Sequence, residues 1–381
     1  MYSKHPQPTA SVRVQRRGFG RHGRSAPRAL PSPYNIEILQ LVHHLASFLQ
    51  RTDLTANRVD PNADVMFAAM LNELRPHSLE SFETFGISHI SGHSFSALSR
   101  HSETLTELHL HSIHNGAMLE LGNLRECTKL RSLVLAESTP MRDLEVESKE
   151  CFRETVAWLR NCKSLKALTI NNFISGTALA TPVLSENKIE LTRLSISAYT
   201  MSQNKDFHQT LPLQPTLQYL SLKGEGSDDF VEVKILVDSL IKLPNLKELS
   251  LREISNDFSD QDIIKLAKNL PKLEELWISG TAISDAIWPH IGALPWLRRL
   301  ELSADTRFTA NGIIDFVTNL EEGNKGFSLN VMMQEMTSDI TEEEQLVIRD
   351  LLRERLDGRF DFQLIRGTSP CSILQGAKDA N

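Results

Sequence analysis

Leucine recurs along the chain in a short line of fixed spacing, L-x-x-L-x-L, in which isoleucine takes some of the sixth places. Residues 243–254 read LPNLKELSLREI, and residues 270–278 repeat this line as LPKLEELWI. Successive lines start 25, 35, 26, 26, 29, 27 and 24 residues apart, and a less regular copy occupies residues 78–90. A period of this length indicates a stack of small repeated units. The eight regular lines start at Leu105, Leu130, Leu165, Leu191, Leu217, Leu246, Leu273 and Leu297.

Each line predicts a strand that is followed by a helix. The leucines at the fourth and sixth places point to one side of the strand, and the residue between them points to the other side. Apolar residues at helical spacing come next, and Ser259 with Asp262 and Ser284 with Asp285 are candidate N-caps. Because a unit of this size cannot bury its own apolar face, neighbouring units must stack. The chain is therefore predicted to be an α/β solenoid, a horseshoe with a parallel concave sheet and outer helices.

Two cysteines stand at a fixed place before the repeated line. Cys127 and Cys162 each precede the first leucine of a line by three residues, which gives the spacing C-x-x-L-x-x-L-x-L. Later lines carry leucine at this place, and no asparagine ladder follows the strands. Over residues 79–302 the chain resembles the leucine-rich-repeat superfamily, in particular the ribonuclease-inhibitor-like repeats common in F-box proteins. The resemblance implies a role in protein recognition, and the cysteines are expected to be small core residues.

The termini differ in composition from the repeats. Residues 1–36 hold seven basic and no acidic side chains, which indicates a disordered tail, an organelle-targeting signal, or a nuclear or RNA-binding segment. The insertion at 137–150 accounts for the single spacing of 35 residues and is predicted to be an acidic loop on one rim. The predicted division is a disordered basic tail (1–34), an N-terminal helical cap, degenerate repeat or F-box-like segment (35–78), leucine-rich repeats (79–325), a C-terminal cap (326–366) and a disordered tail (367–381).

Side chains between the paired leucines are predicted to project from the concave face. Their central column runs His109, Val134, Thr169, Ser195, Ser221, Ser250, Trp277 and Glu301. Trp277 is the most informative member, because an aromatic ring on an open sheet is unusual unless a partner or neighbouring side chains cover it. The predicted partner-binding residues are Trp277, Arg252, Glu248, Glu275, Arg299, Glu301, Ser250, Ser221, Tyr219, His109 and His111.

Histidines concentrate between residues 77 and 114, where seven of the thirteen occur. Glu107, His109 and His111 have E-x-H-x-H spacing, which directs three potential metal ligands to one face of a strand. Three ligands from a single strand rarely suffice, so a solvated face is favoured and no metal site is predicted. The sequence contains neither a glycine-rich phosphate loop nor the motifs G-x-S-x-G and H-E-x-x-H. We therefore expect a non-enzymatic protein without cofactors.

Charge and cysteine usage limit the partners and the compartment. Outside the first 36 residues, 34 basic side chains face 48 acidic ones, which disfavours nucleic acid except through the basic tail. Four cysteines without a C-x-x-C pair fit a reducing compartment, the cytoplasm or the nucleus. No apolar run reaches 18 residues, so no membrane span is predicted.

Two functions fit this pattern. The first is a protein-protein interaction module that binds a protein partner through the concave face. The second is the substrate-recognition subunit of an F-box-type (cullin-RING) ubiquitin ligase, which would bind the ligase adaptor through its N-terminus. Leu30 and Pro31, followed by IEILQLVHHLASFLQRTDL at 36–54, resemble the opening of an F-box. The long gap before Glu37 and the sequence of residues 55–77 depart from that family.

Overall fold

The structure is a computed structural model that describes residues 11–16, 62–85, 90–137, 143–202, 204–226, 229–280, 283–304, 308–334 and 340–365. The chain divides into two compact units, Met1–Ser175 and Gly176–Asn381. The boundary between the units falls inside the region predicted to hold the repeats.

In the first unit, strands alternate with helices and lie side by side in chain order. Strands β2 to β5 are parallel, whereas β1 pairs antiparallel with β2. The sequence-based division placed β1 in a disordered tail and predicted no strand there. The elements are β1 (Ser11–Arg16), α1 (Ala63–Glu73), β2 (Leu79–Phe85), α2 (Gly92–Leu98), β3 (Glu107–Ile113), α3 (Asn115–Met118), β4 (Ser132–Glu137), α4 (Leu144–Glu147), α5 (Lys149–Asn161) and β5 (Ala167–Asn171).

In the second unit, strands β6 to β12 are all parallel and pair in chain order. The elements are α6 (Gly176–Leu184), β6 (Arg193–Thr200), α7 (Lys205–Thr210), β7 (Tyr219–Glu225), α8 (Phe230–Leu240), β8 (Glu248–Arg252), α9 (Asp260–Asn269), β9 (Glu275–Gly280), α10 (Trp288–Ile291), β10 (Arg299–Ala304), α11 (Ala310–Asn319), β11 (Ser328–Gln334), α12 (Glu342–Leu356) and β12 (Arg359–Ile365).

The leucines of the repeated line form the core of each unit. Leu249 on β8 pairs with Leu276 on β9, which pairs with Leu300 on β10, and all three are buried. The residues between these leucines lie on the other face of the sheet, which we term the open face. This strand-helix repeat, with its buried leucine columns, is an α/β leucine-rich-repeat solenoid, as the sequence predicts.

Aspartates near the beginnings of helices link neighbouring repeats. Asp260, the first residue of α9, accepts a hydrogen bond from the backbone N–H of Ser284 at 2.7 Å. Asp285 accepts a hydrogen bond from the N–H of Thr309 at 3.1 Å. Asp64 likewise accepts a hydrogen bond from a backbone N–H at the start of α2. These carboxylates satisfy N–H groups at the starts of following helices. They provide polar contacts between repeats in a sequence that lacks an asparagine ladder.

Both cysteines of the C-x-x-L-x-x-L-x-L lines are buried in the first unit. The indole N–H of Trp158 on α5 donates to the carbonyl oxygen of Cys127 at 3.1 Å, which ties this helix to the preceding turn. Burial raises the pKa of the Cys127 thiol to about 11 and that of Cys162 to about 12. The expectation that both cysteines are small core residues is confirmed.

The region predicted as a C-terminal cap contains β11, α12 and β12. Thr341 and Glu344 form a capping box at the beginning of α12. Asp357, in the left-handed conformation, follows the end of this helix. Residues 143–150 of the insertion form α4 and the beginning of α5 rather than a simple loop.

Several predictions lie outside the described residues. These concern most of the basic tail, the F-box-like line at 36–54 and the C-terminal tail at 367–381. Among the described helices, none is both long and apolar enough to cross a membrane.

Candidate functional site

The open face of the second unit carries its side chains in ordered rows. The first row runs Arg193, Tyr219, Glu248, Glu275 and Arg299. The second row runs Ser195, Ser221, Ser250, Trp277 and Glu301, and continues to Asn330 and Asp361. Within this unit the predicted register of the central column is confirmed. In the first unit, the pairing of His109, Val134 and Thr169 is confirmed as well.

Trp277 lies partly buried beneath Arg252. The guanidinium carbon of Arg252 is 3.7 Å from the centroid of the Trp277 ring, and that of Arg299 is 5.8 Å away. A cation over the face of an indole contributes about 0.5–1 kcal/mol at exposed sites and about 2 kcal/mol when desolvated. The ring is thus covered by an arginine and is not simply open to solvent.

Two ion pairs hold the arginines beside Trp277. The Nη2 atom of Arg252 is 3.3 Å from Oε2 of Glu301, and Nη1 of Arg299 is 3.1 Å from Oε2 of Glu275. The arginine side chains are 40% and 48% exposed, and pairs with that exposure contribute at most about 1 kcal/mol. Arg252 can therefore leave the ring at low cost.

Glu248 differs from the other acidic residues of this region, because it forms no ion pair with any residue that the structure describes. Burial raises the pKa of its carboxyl group and the negative charge of Glu275 raises this pKa further, whereas the positive charge of Arg193 lowers it. A cationic group placed beside Glu248 would therefore be favourable.

Unpaired polar atoms surround the tryptophan. Within the described part of the chain, Trp277 Nε1, Ser250 Oγ and Arg252 Nε are buried without a hydrogen-bond partner. Oδ1 of Asn330, which lies in the second row, is also buried without a hydrogen-bond partner among the described residues. Each unpaired buried polar group costs about 1–3 kcal/mol of stability, so a bound group that pairs with them gains affinity. We term Glu248, Ser250, Arg252, Glu275, Trp277, Arg299 and Glu301 the Trp277 cluster.

A second aromatic ring on the same face is covered in the same way. The guanidinium carbon of Arg193 lies 4.2 Å from the centroid of the Tyr219 ring. Ser221 and Ser250 lie in the row beside these arginine-covered rings. The sequence analysis missed Arg193, although its place in the first row, opposite Tyr219, could have identified it.

His109 and His111 lie close to a different glutamate from the one in the E-x-H-x-H motif. His109 and His111 converge on Glu83 of β2, with nitrogen atoms 3.7 Å from its Oε1 atom in both cases. Glu107, the predicted third member, is exposed and lies outside this group. The sequence analysis missed Glu83, because the irregular first line leaves the register of its strand open; in the structure Glu83 pairs directly with His109.

The described residues have the fold of a leucine-rich-repeat solenoid with a polar open face. No family model matches the sequence, and no curated protein matches it at a significant level. The chain is similar to a chain in the crystal structure of the Rad7 and Elc1 complex in yeast, at 16% identity and a TM-score of 0.46, over 86% of this chain and 91% of that chain.

A chain in the crystal structure of the TLR13-ssRNA13 complex is also similar, at 15% identity and a TM-score of 0.35. That similarity covers 70% of this chain and 40% of the other, so this chain spans less than half of its length. At these identities the similarities do not bear on function.

Proposed function

We propose that the protein is a non-enzymatic interaction module that binds a protein partner through the Trp277 cluster on the open face. The observation that carries this proposal is the state of Trp277, which lies half-buried under a loosely held arginine with its indole N–H unpaired. Large aromatic side chains with a polar handle are typical anchors of protein interfaces, and charged groups commonly surround them.

Binding would require a small movement of Arg252. Its single ion pair and its stacking on the ring together contribute about 1–2 kcal/mol, which one good partner contact would offset. Rotation of Arg252 away from Trp277 would open the indole N–H to a carbonyl oxygen of the partner. Arg252 itself would then be available to bind a partner carboxylate or carbonyl group.

The shape of the face favours an extended segment of the partner. Ser221 has a small, partly exposed side chain, so a partner backbone can approach the sheet there. Tyr219 and Trp277 would contact apolar side chains of this segment, and Glu248 would pair with a basic side chain. The acidic charge of residues 37–381 would attract such a basic segment over longer distances.

The test is affinity capture with the full chain as bait and quantitative mass spectrometry of the captured proteins. Trp277→Ala combined with Arg252→Ala should remove a defined set of captured proteins. The matched control is Trp296→Ala combined with Arg298→Ala, which removes the same residue types from exposed positions of the same unit. Circular dichroism must show that both double variants are folded.

Loss of the same proteins from both double variants would count against a specific site. Unchanged capture by the Trp277 variant would overturn the assignment. A protein that is lost only with Trp277→Ala and Arg252→Ala can then be made pure and its binding measured by calorimetry.

The repeats support a finer classification. Cys127 and Cys162 are buried at the place where ribonuclease-inhibitor-like repeats carry cysteine. We propose on this ground that the repeats are of the ribonuclease-inhibitor-like type. We also propose a location in the cytoplasm or the nucleus, which the four cysteines without a C-x-x-C pair support.

A second candidate function is that of a substrate-recognition subunit of an F-box-type ubiquitin ligase. The F-box-like line at residues 36–54 favours it, and the Trp277 cluster would then bind the substrate. Capture with the full chain and with a version lacking residues 1–54 separates the two functions. Recovery of a ligase adaptor and a cullin by the full chain, but not by the shortened version, supports the ubiquitin-ligase subunit. Equal recovery of other proteins by both forms supports a simple interaction module.

A further inference from the structure

Two neighbouring strands of the first unit fix the backbone around a group of potential metal ligands. Glu83 on β2 lies directly opposite His109 on β3. Beyond this pair, the buried hydroxyl of Thr84 accepts a hydrogen bond from the N–H of His111 at 2.9 Å and donates one to its carbonyl oxygen at 3.2 Å. The side chains of Glu83, His109 and His111 therefore start from well-defined backbone positions.

Three donor atoms converge in this group. Nδ1 of His109 and Nε2 of His111 are each 3.7 Å from Oε1 of Glu83, and one ligand atom from each residue lies within 4.8 Å of the others. In a tetrahedral zinc site with bonds of about 2.0–2.2 Å, ligand atoms are about 3.3–3.6 Å apart. Small rotations of the side chains would bring the three atoms to that separation.

The distances do not describe direct hydrogen bonds between Glu83 and the two imidazoles. A carboxylate that accepts from a ring N–H lies about 2.7–3.2 Å away, and both distances here exceed that range. Oε1 of Glu83 instead lies at the same distance from one nitrogen of each ring.

A neighbouring hydroxyl prepares His109 for a metal ion. Nε2 of His109 is 2.9 Å from Oγ of Ser132 on β4. When Nε2–H donates to Ser132, Nδ1 presents its lone pair toward Glu83, which is the usual support for a metal-binding histidine.

We propose that Glu83, His109 and His111 bind a Zn²⁺ ion, with a remaining position open to water or to a donor atom of another molecule. Two histidines and one glutamate are a known set of zinc ligands that leaves the fourth position open. The side chains of Glu83, His109 and His111 are 20%, 24% and 36% exposed, so the ion can reach them from solvent. Three ligands from a single strand rarely suffice for a metal site, but the ligands proposed here come from two neighbouring strands.

The experiment compares two glutamates that flank the same histidines. The full chain, freed of metal with a chelator, is titrated with Zn²⁺ in a calorimeter and with Co²⁺ in a spectrophotometer. Glu83→Gln should weaken Zn²⁺ binding by more than about 10-fold and remove the Co²⁺ absorption bands of a low-coordinate site, because Gln offers no charged ligand. Glu107→Gln, which changes the exposed glutamate of the sequence motif, should bind both ions as the wild type does.

Further variants test the remaining members. His109→Ala and His111→Ala should each lose the site, and Ser132→Ala should weaken it about 10- to 100-fold. If an alanine variant fails to fold, the comparison of Glu83→Gln with Glu107→Gln still decides the question. Equal binding by wild type and Glu83→Gln, an equal effect of both glutamate variants, or the absence of Zn²⁺ binding to the wild type would each overturn the proposal.

Discussion

His208 is expected to make the stability of the second unit depend on pH. Its fully buried ring lies between Tyr199 and Glu232, with Nδ1 2.9 Å from Oε2 of Glu232. The neutral ring fits this position, because Nδ1–H donates to the carboxylate while Nε2 accepts from the hydroxyl of Tyr199. Burial lowers the pKa of His208 from 6.5 to about 4, against a smaller opposing effect of Asp229.

The sign and the size of the effect follow from proton linkage. Above pH 6.5 the ring is neutral in both the folded and the unfolded chain, and the folded state has its full stability. Between about pH 6.5 and pH 4 the unfolded chain binds a proton that the folded chain does not, so stability falls as the pH falls. At about 1.4 kcal/mol per pH unit, the loss is about 2 kcal/mol by pH 5 and about 3 kcal/mol by pH 4.

Urea unfolding of wild type and His208→Gln, followed by circular dichroism, tests this effect. Gln cannot titrate, so the difference in unfolding free energy between the two proteins should shrink by about 2 kcal/mol between about pH 7.5 and pH 5. His290→Gln removes a less buried histidine of the same unit and serves as the control. A difference between wild type and His208→Gln that is the same at both pH values would refute the reasoning.

Three further predictions concern single residues. Trp277→Phe keeps a ring under Arg252 and removes the unpaired N–H; the gain from removing this buried donor offsets the packing lost with the smaller ring, so the unfolding free energy should stay within about 1 kcal/mol of wild type. A larger loss would mean that the N–H is satisfied. Because burial raises the pKa of Cys127 to about 11 and that of Cys162 to about 12, iodoacetamide should modify both only after unfolding, as judged by mass spectrometry; rapid labelling of the folded chain would contradict this. The pairing of β6 with β7 shifts register between Ser197 and Tyr199, opposite Gly224. Gly224→Ala would place a Cβ against the carbonyl oxygen of Tyr199 and should cost about 3 kcal/mol, so an unchanged thermal midpoint would show that the backbone can relax there.

The repeats were predictable for two reasons. The leucine line recurs at a nearly constant spacing along the chain, and within each line the leucines alternate with residues that point to the other face of the strand. The eight leucine lines predicted the strands from β3 to β10. The alternation of inward and outward side chains along each strand predicted the rows of the open face. The position of Glu83 could not be predicted in this way. It lies in the irregular first line, whose register the leucine pattern leaves open, so its place opposite His109 required the backbone pairing of β2 with β3.

The state of Trp277 could not have been read from the pattern. Register places Arg252 and Arg299 near the ring, but it does not decide which one covers it. That choice depends on side-chain rotamers and on the competing carboxylates of Glu275 and Glu301, which take one arginine each. The aspartate links between repeats were missed for a similar reason, because an aspartate at the beginning of a helix can cap its own helix or serve the next one.

The two proposed sites can be tested independently because each is built from residues of one unit. Glu83, His109 and His111 belong to the first unit, and the Trp277 cluster belongs entirely to the second. Glu83→Gln should therefore leave the capture of a partner by the Trp277 cluster unchanged. Trp277→Ala combined with Arg252→Ala should likewise leave Zn²⁺ binding unchanged, and a loss of either function in the other site's variant would contradict this independence.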